Sequence, residues 1–133
     1  MAGYSSTPLS KKLGIKEGHR VALIDAPDGI DLGELPDGVE CVKGLRCPRS
    51  PVILFFVTKQ AVLEKRFPKV AKHLDPSGGL WIAWPKKASG VVTDVNENTV
   101  RAVALAAGLV DNKVCAIDDT WSGLRCVVRL KDR

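Results

Sequence analysis

Read from residue pattern alone, the chain is an α/β protein: a three-layer, mostly parallel Rossmann-like sheet closed by an antiparallel C-terminal strand. Three observations carry this expectation. Apolar runs rich in β-branched or aromatic residues recur at 20–25 (RVALID), 52–58 (VILFFVT) and 80–84 (LWIAW), each bounded by turn residues. Helical stripes follow the later runs: Leu63, Phe67, Val70, Ala71 and Leu74, then Val100, Val103, Ala104 and Ala107. Strands alternating with helices are the pattern of a parallel sheet with helices packed on it.

The elements follow in order. Residues 1–19 form a polar arm without a clear period. The run at 20–25 is a buried strand, and residues 39–43 form a second, weaker one. Between them, Pro27-Asp28-Gly29 and Pro36-Asp37-Gly38 are turns, proline fixing φ and glycine accepting the left-handed conformation. That connection has room for only a turn or two of helix, around Ile30 to Leu35. VILFFVT is apolar on both faces, as expected for the middle of a covered sheet. The first helical stripe sets Lys65, Lys69 and Lys72 on its wetted side, and Pro68 is expected to kink or divide that helix near Phe67. Residues 75–79 read as a turn. Trp81 and Trp84, three apart on one strand, point to opposite faces as packing residues. Asp94 to Glu97 has the spacing of a capping box, and Gly108 supplies a helix stop. Residues 113–118 form a strand, Trp121-Ser122-Gly123 a turn, and residues 124–129 a closing strand paired with its predecessor as a hairpin. No repeat or linker interrupts this order, so residues 1–133 read as a single α/β domain.

Leu, Ile, Val and Phe supply 39 of the 133 residues, enough to bury a core and to exclude global disorder. The longest wholly apolar run, Val52 to Val57, is far short of a membrane span, and the lysines near the start precede no signal-peptide core. These features point to a cytoplasmic protein with no membrane partner. The net charge of +5 divides unevenly along the chain. Asp25, Asp28, Asp31, Glu34, Asp37 and Glu40 fall at every third position, and a basic segment from Lys43 to Lys72 follows. Adjacent acidic and basic segments favour internal pairing, and aromatic residues interleaved with the bases are lacking, so nucleic acid is not an expected partner.

Standard chemistry finds no purchase. The acid spacing is wrong for a calcium loop. His19 and His73 stand alone, and Cys41, Cys47, Cys115 and Cys126 include no Cys-x-x-Cys pair, so no metal site is expected. Cys115 and Cys126 read as core thiols. No phosphate loop, nucleophile elbow or paired nucleophile and histidine is present. The sequence therefore identifies neither a reaction nor a cofactor. What remains is the rule that ligands bind beyond the carboxyl ends of α/β strands. It selects Asp25-Ala26-Pro27, Thr58-Lys59, the segment after the 80–84 strand and the segment after residue 117. Within these, Lys86 and Lys87 are point charges for an anion, Ser89 and Ser122 hydroxyl donors, Trp121 a stacking wall and Asp118 an orienting carboxylate.

Longer tracts carry a resemblance. Tyr4 to Leu9, Lys11 to Ile15, Leu80-Trp81-Ile82-Ala83-Trp84-Pro85-Lys86-Lys87 and the stretch from Ala107 to Leu124 resemble a family of small bacterial proteins, domain of unknown function 3052. That resemblance implies a bacterial setting and an N-terminal arm that packs on the domain, and carries no activity. At the level of fold, the strand Gly78-Gly79-Leu80-Trp81-Ile82, a helix ending Ala107-Gly108-Leu109 and a final hairpin look like the second half of Rossmann-like methyltransferases, whose glycine loop is missing here. The functional expectation is a domain binding a small anionic, phosphate- or nucleotide-like ligand at the strand-end rim. A module docking a protein partner through its acidic and basic segments stands second, and a divergent methyltransferase-like enzyme third.

Overall fold

A computed structural model describes residues 8–46 and 49–133. A short helix α1 (Leu9–Lys12) leads into β1 (Arg20–Ile24), β2 (Glu40–Lys43), β3 (Ser50–Phe56), α2 (Gln60–Lys72), β4 (Leu74–Pro85), α3 (Glu97–Ala106), β5 (Leu109–Ala116) and β6 (Trp121–Val128). The six strands form one sheet in the order β2-β1-β3-β4-β6-β5. β1 pairs in parallel with both β2 and β3, and β3 with β4. β6 runs antiparallel between β4 and β5. The mixed, mostly parallel sheet with an antiparallel C-terminal strand is the architecture expected from sequence.

Both faces of the sheet are covered. On one, α2 and α3 bring Leu63, Phe67, Val70, Val100 and Ala104 against Ile24, Ile53, Phe55, Leu80, Ile82, Trp84 and Leu124. On the other, Leu13 and Ile15 of the N-terminal arm, with Leu32 of the β1–β2 connection, cover Val21, Val52, Leu54, Phe56 and Trp81. Trp81 is fully buried, and its indole N–H donates to the Leu13 carbonyl at 3.0 Å, which satisfies the one polar group that its burial would otherwise strand.

Several elements differ from expectation for physical reasons. α2 runs unbroken through Pro68. The proline sits on the exposed side, where the carbonyl it leaves unpaired can reach water, while buried Leu63, Phe67 and Val70 anchor both halves of the helix. Leu74 opens β4 instead of closing the helical stripe, and the expected turn at 75–79 is an irregular excursion within that strand. There the register jumps from Ser50↔Leu74 to Val52↔Gly79, and the Asp75 carboxylate accepts bonds from the Ser77 backbone and hydroxyl. Those bonds hold Asp75 below the ordinary carboxylate range. α3 is capped by Asn96, whose side chain accepts the Thr99 N–H at 2.9 Å. Asp94, expected to open a capping box, instead accepts the Gln60 N–H at 2.7 Å and caps α2 from outside it. Residues 26–38 contain turns and no helix, and Trp121 and Ser122 lie in a strand rather than a turn.

Candidate functional site

In the sheet order, the chain leaves β1 for β2 on one side and returns to β3 on the other, so the strand order reverses at β1. Beyond the carboxyl ends of β1 and β2 lies a cleft of about 550 Å³. Its apolar lining includes Leu23, Ala26 and Ile30; its charged lining is Asp25, Asp28, Lys43 and Arg66. Open α/β sheets bind ligands in this position.

Local sequence makes the cleft. β1 ends at buried Ile24, and the next residue, Asp25, turns the chain with a φ of 55°, the one non-glycine in the left-handed region among the described residues. Aspartate tolerates this conformation better than most residues, and its carboxylate is steadied by an ion pair with Arg66 of α2. The Arg66 guanidinium also sits 5.4 Å from the Phe55 ring centroid, so α2 reaches over β3 to the end of β1. Pro27 follows without a backbone N–H, and the Ile30 N–H closes the expected turn on the Pro27 carbonyl at 3.3 Å. The opposite wall is Lys43, held at the end of β2 as the Gly44 N–H extends the ladder to the Leu23 carbonyl at 2.8 Å.

The residues singled out from sequence lie elsewhere on the same rim, at the ends of β4, β5 and β6. Lys86 is half-buried; its N–H donates to the Thr120 carbonyl at 2.7 Å. Lys87 is exposed and opens a 3-10 turn. The Ser89 hydroxyl donates to the Lys86 carbonyl at 2.6 Å and accepts the Val91 N–H. Asp118 accepts the Thr120 and Trp121 N–H groups at 2.8 and 2.7 Å. Trp121 pairs in register with Pro85 and meets Phe56 edge-on, ring centroids 5.1 Å apart. Ser122 lies in β6 between Trp84 and Ala116. The side-chain oxygens of Ser89 and Asp118 are thus bonded within their own turns, and one flank of Trp121 is taken by Phe56.

Asp25-Ala26-Pro27 is one of the strand-end segments the sequence selects, and the Asp25–Arg66 pair joins the acidic segment to the basic one, as expected. The part of Lys43 and Arg66 in walling a cleft leaves no mark in the sequence. Their distance from Asp25 along the chain carries no signal; only the parallel pairing of β1 with β2 and the packing of α2 bring them there. Among the described residues, no cluster of histidine, cysteine, aspartate and glutamate could hold a metal ion. No helix among them is long and apolar enough to cross a membrane. Cys126 is fully buried, as expected of a core thiol, and Cys115 is half-buried. Cys41 is exposed, and Cys47 lies outside the described residues.

Solved structures that share the fold include methyltransferases and a fibrillarin with bound S-adenosyl-L-methionine. A SAM-dependent methyltransferase from Aquifex aeolicus is 17% identical, with a TM-score of 0.64 over 90% of this chain and 87% of that one. Magnesium protoporphyrin IX methyltransferase from Synechocystis, solved with bound SAH, is 11% identical, with a TM-score of 0.60 over 85% and 75%. Fibrillarin from Aeropyrum pernix, with natively bound S-adenosyl-L-methionine, is 13% identical, with a TM-score of 0.54 over 91% and 69%. No family model matches the sequence, and no curated protein matches it. These findings correct two expectations. The resemblance to domain of unknown function 3052 is overturned, since the likenesses found are to methyltransferases. The assignment as a small-anion-binding domain or a protein-docking module gives way to a methyltransferase fold spanning most of the chain. The low identities establish the fold alone.

Proposed function

We propose that this chain is a divergent methyltransferase-like protein that takes an S-adenosyl ligand in the cleft beyond β1 and β2. The observation that carries the reading is the cleft's position: it lies at the carboxyl ends of two parallel strands, beside the point where strand order reverses, on a fold shared with methyltransferases.

The residues present fit such a ligand in three respects. A cleft of about 550 Å³ is of the size that small-molecule sites occupy. Its charges are of both signs, as a ligand bearing ammonium, sulfonium and carboxylate groups requires. Asp28 would take the ammonium, and Leu23, Ala26 and Ile30 would pack against the purine. Arg66 holds Asp25 in place through their ion pair. When bound, the ligand would supply a methyl group activated on sulfur.

Two departures set the expected strength. Pro27 removes a backbone donor from the loop after β1, where nucleotide-binding α/β folds carry a glycine-rich turn. Lys43 stands at the end of β2, near where dinucleotide-binding folds place an acid for the ribose diol. Each is a lost polar contact, so we expect a Kd of ~0.1–1 mM, roughly 4–5.5 kcal/mol of binding. Isothermal titration of the full chain with S-adenosylmethionine and S-adenosylhomocysteine tests this. Saturable heat that Asp28→Lys weakens at least ~10-fold supports the reading; no heat at several millimolar ligand overturns it.

A further inference from the structure

Away from the strand-end rim, the side of the β5–β6 hairpin that faces the N-terminal arm gathers cations from distant parts of the chain. Lys113 of β5 and Arg125 of β6 are register partners, so their side chains share this side. The Lys113 ammonium donates to the Lys12 carbonyl at 3.0 Å, which ties the end of α1 to the hairpin. The Arg125 guanidinium lies over Gly79, where a methyl group would overlap it, and extends to 3.9 Å from the position a Gly14 side chain would take. Arg133 is folded back by a bond from its Nε to the Val128 carbonyl at 2.8 Å, close enough for its charge to act on Arg125.

Among the described residues, none of Lys12, Lys113, Arg125 and Arg133 joins an ion pair, although Asp132 is adjacent in sequence to Arg133. Partial burial, and then the Arg133 charge, lower the proton affinity of Arg125. At Cys115, burial raises the thiol's pKa while the charges of Lys113 and Lys12 oppose it. Like charges held together in this way are relieved by an anion from outside.

We infer that this side of the hairpin binds the phosphate backbone of a nucleic-acid duplex. Cations gathered from the arm, two strands and the C-terminal segment suit several phosphates better than a single small anion. The neighbouring ring, Trp81, is fully buried and offers no face for stacking unpaired bases, which disfavours a single strand. Charge read along the chain speaks against nucleic acid; this patch exists only across the fold.

The test is fluorescence anisotropy of a labelled 20-base-pair duplex, RNA and DNA in turn, titrated with the full chain across a salt series. Neutralising three or four phosphates gives a slope of log K against log salt of about −3. Lys113→Glu with Arg133→Glu, both exposed positions, should weaken binding at least ~10-fold and flatten that slope. Lys65→Glu with Lys69→Glu on α2 makes the same change in net charge and should leave affinity within ~2-fold; circular-dichroism melts confirm that both variants fold. Equal losses in the two double variants, an unaffected Lys113→Glu/Arg133→Glu protein, or no binding by the parent chain at low salt would overturn the inference.

Discussion

The helix-covered face of the sheet and the arm-covered face reach the same burial by different routes. Phe67 and Val100 enter the first core from helices whose apolar residues recur at helical spacing. Leu13, Ile15 and Leu32 enter the second from an arm and a turn-rich connection with no period at all. Periodicity therefore announces only one of the two layers, although Leu13 is as fully buried as Phe67.

Substitutions on the two faces can break that equivalence. Phe67→Ala should cost about 3–5 kcal/mol in urea unfolding, the usual range for a fully buried aromatic. Leu13→Ala should cost about 2–3 kcal/mol, toward the lower part of the leucine range, because an irregular cover can settle into the cavity more readily than a helix. A loss below about 0.5 kcal/mol at Leu13 would mean the arm is not a true layer.

Two adjacent glycines sharpen the contrast between rigid and yielding neighbours. A methyl group at Gly78 would meet the backbone of Pro51, whereas one at Gly79 would meet the movable side chain of Arg125. Gly78→Ala should therefore destabilise by about 2–3 kcal/mol and Gly79→Ala by about 1 kcal/mol, read from thermal melts. The reverse order would place the rigid contact at Arg125.

Smaller effects are expected at local turns. Asp118→Ala, which strips two N–H groups of their acceptor, and Asn96→Ala, which removes the α3 cap, should each cost about 1 kcal/mol. Comparable losses would identify Asp118 as a brace for its turn.

The smallest effect concerns the thiols. Burial pushes Cys126 from an ordinary value of 9.0 up to about 12. Its folded pKa is raised, so the stability it contributes is whole below about pH 9 and is lost as pH climbs toward 12. Near neutral pH, alkylation followed by mass spectrometry should mark exposed Cys41 and spare Cys126 until denaturant is added. Early labelling of Cys126 would show that the helix-covered core opens.

β1, β3, α2, α3 and the closing hairpin were legible because alternation, apolar runs and helical stripes are local signals. Pro68 misled because its effect depends on which way it faces. Leu74 misled because a strand and the last turn of a helix use the same apolar residue. At the candidate site, Asp25-Ala26-Pro27 was legible from its place after a strand, while Lys43 and Arg66 were not, since only strand order and helix packing bring them to Asp25. Ser89 and Asp118 looked available because a turn's internal bonds leave no mark in composition.

The bond from the Gln60 N–H to Asp94 has a reach beyond helix capping. Thr93 of the same short segment donates its hydroxyl to the Thr58 carbonyl at 2.7 Å, and Asn96, two residues past Asp94, starts α3. The beginnings of both long helices are therefore moored to one six-residue span that includes Val91 and Val92, the latter almost entirely exposed. Anything that grips or pulls that span would loosen two helix ends together, so hydrogen exchange at the first turns of α2 and α3 should rise and fall in step.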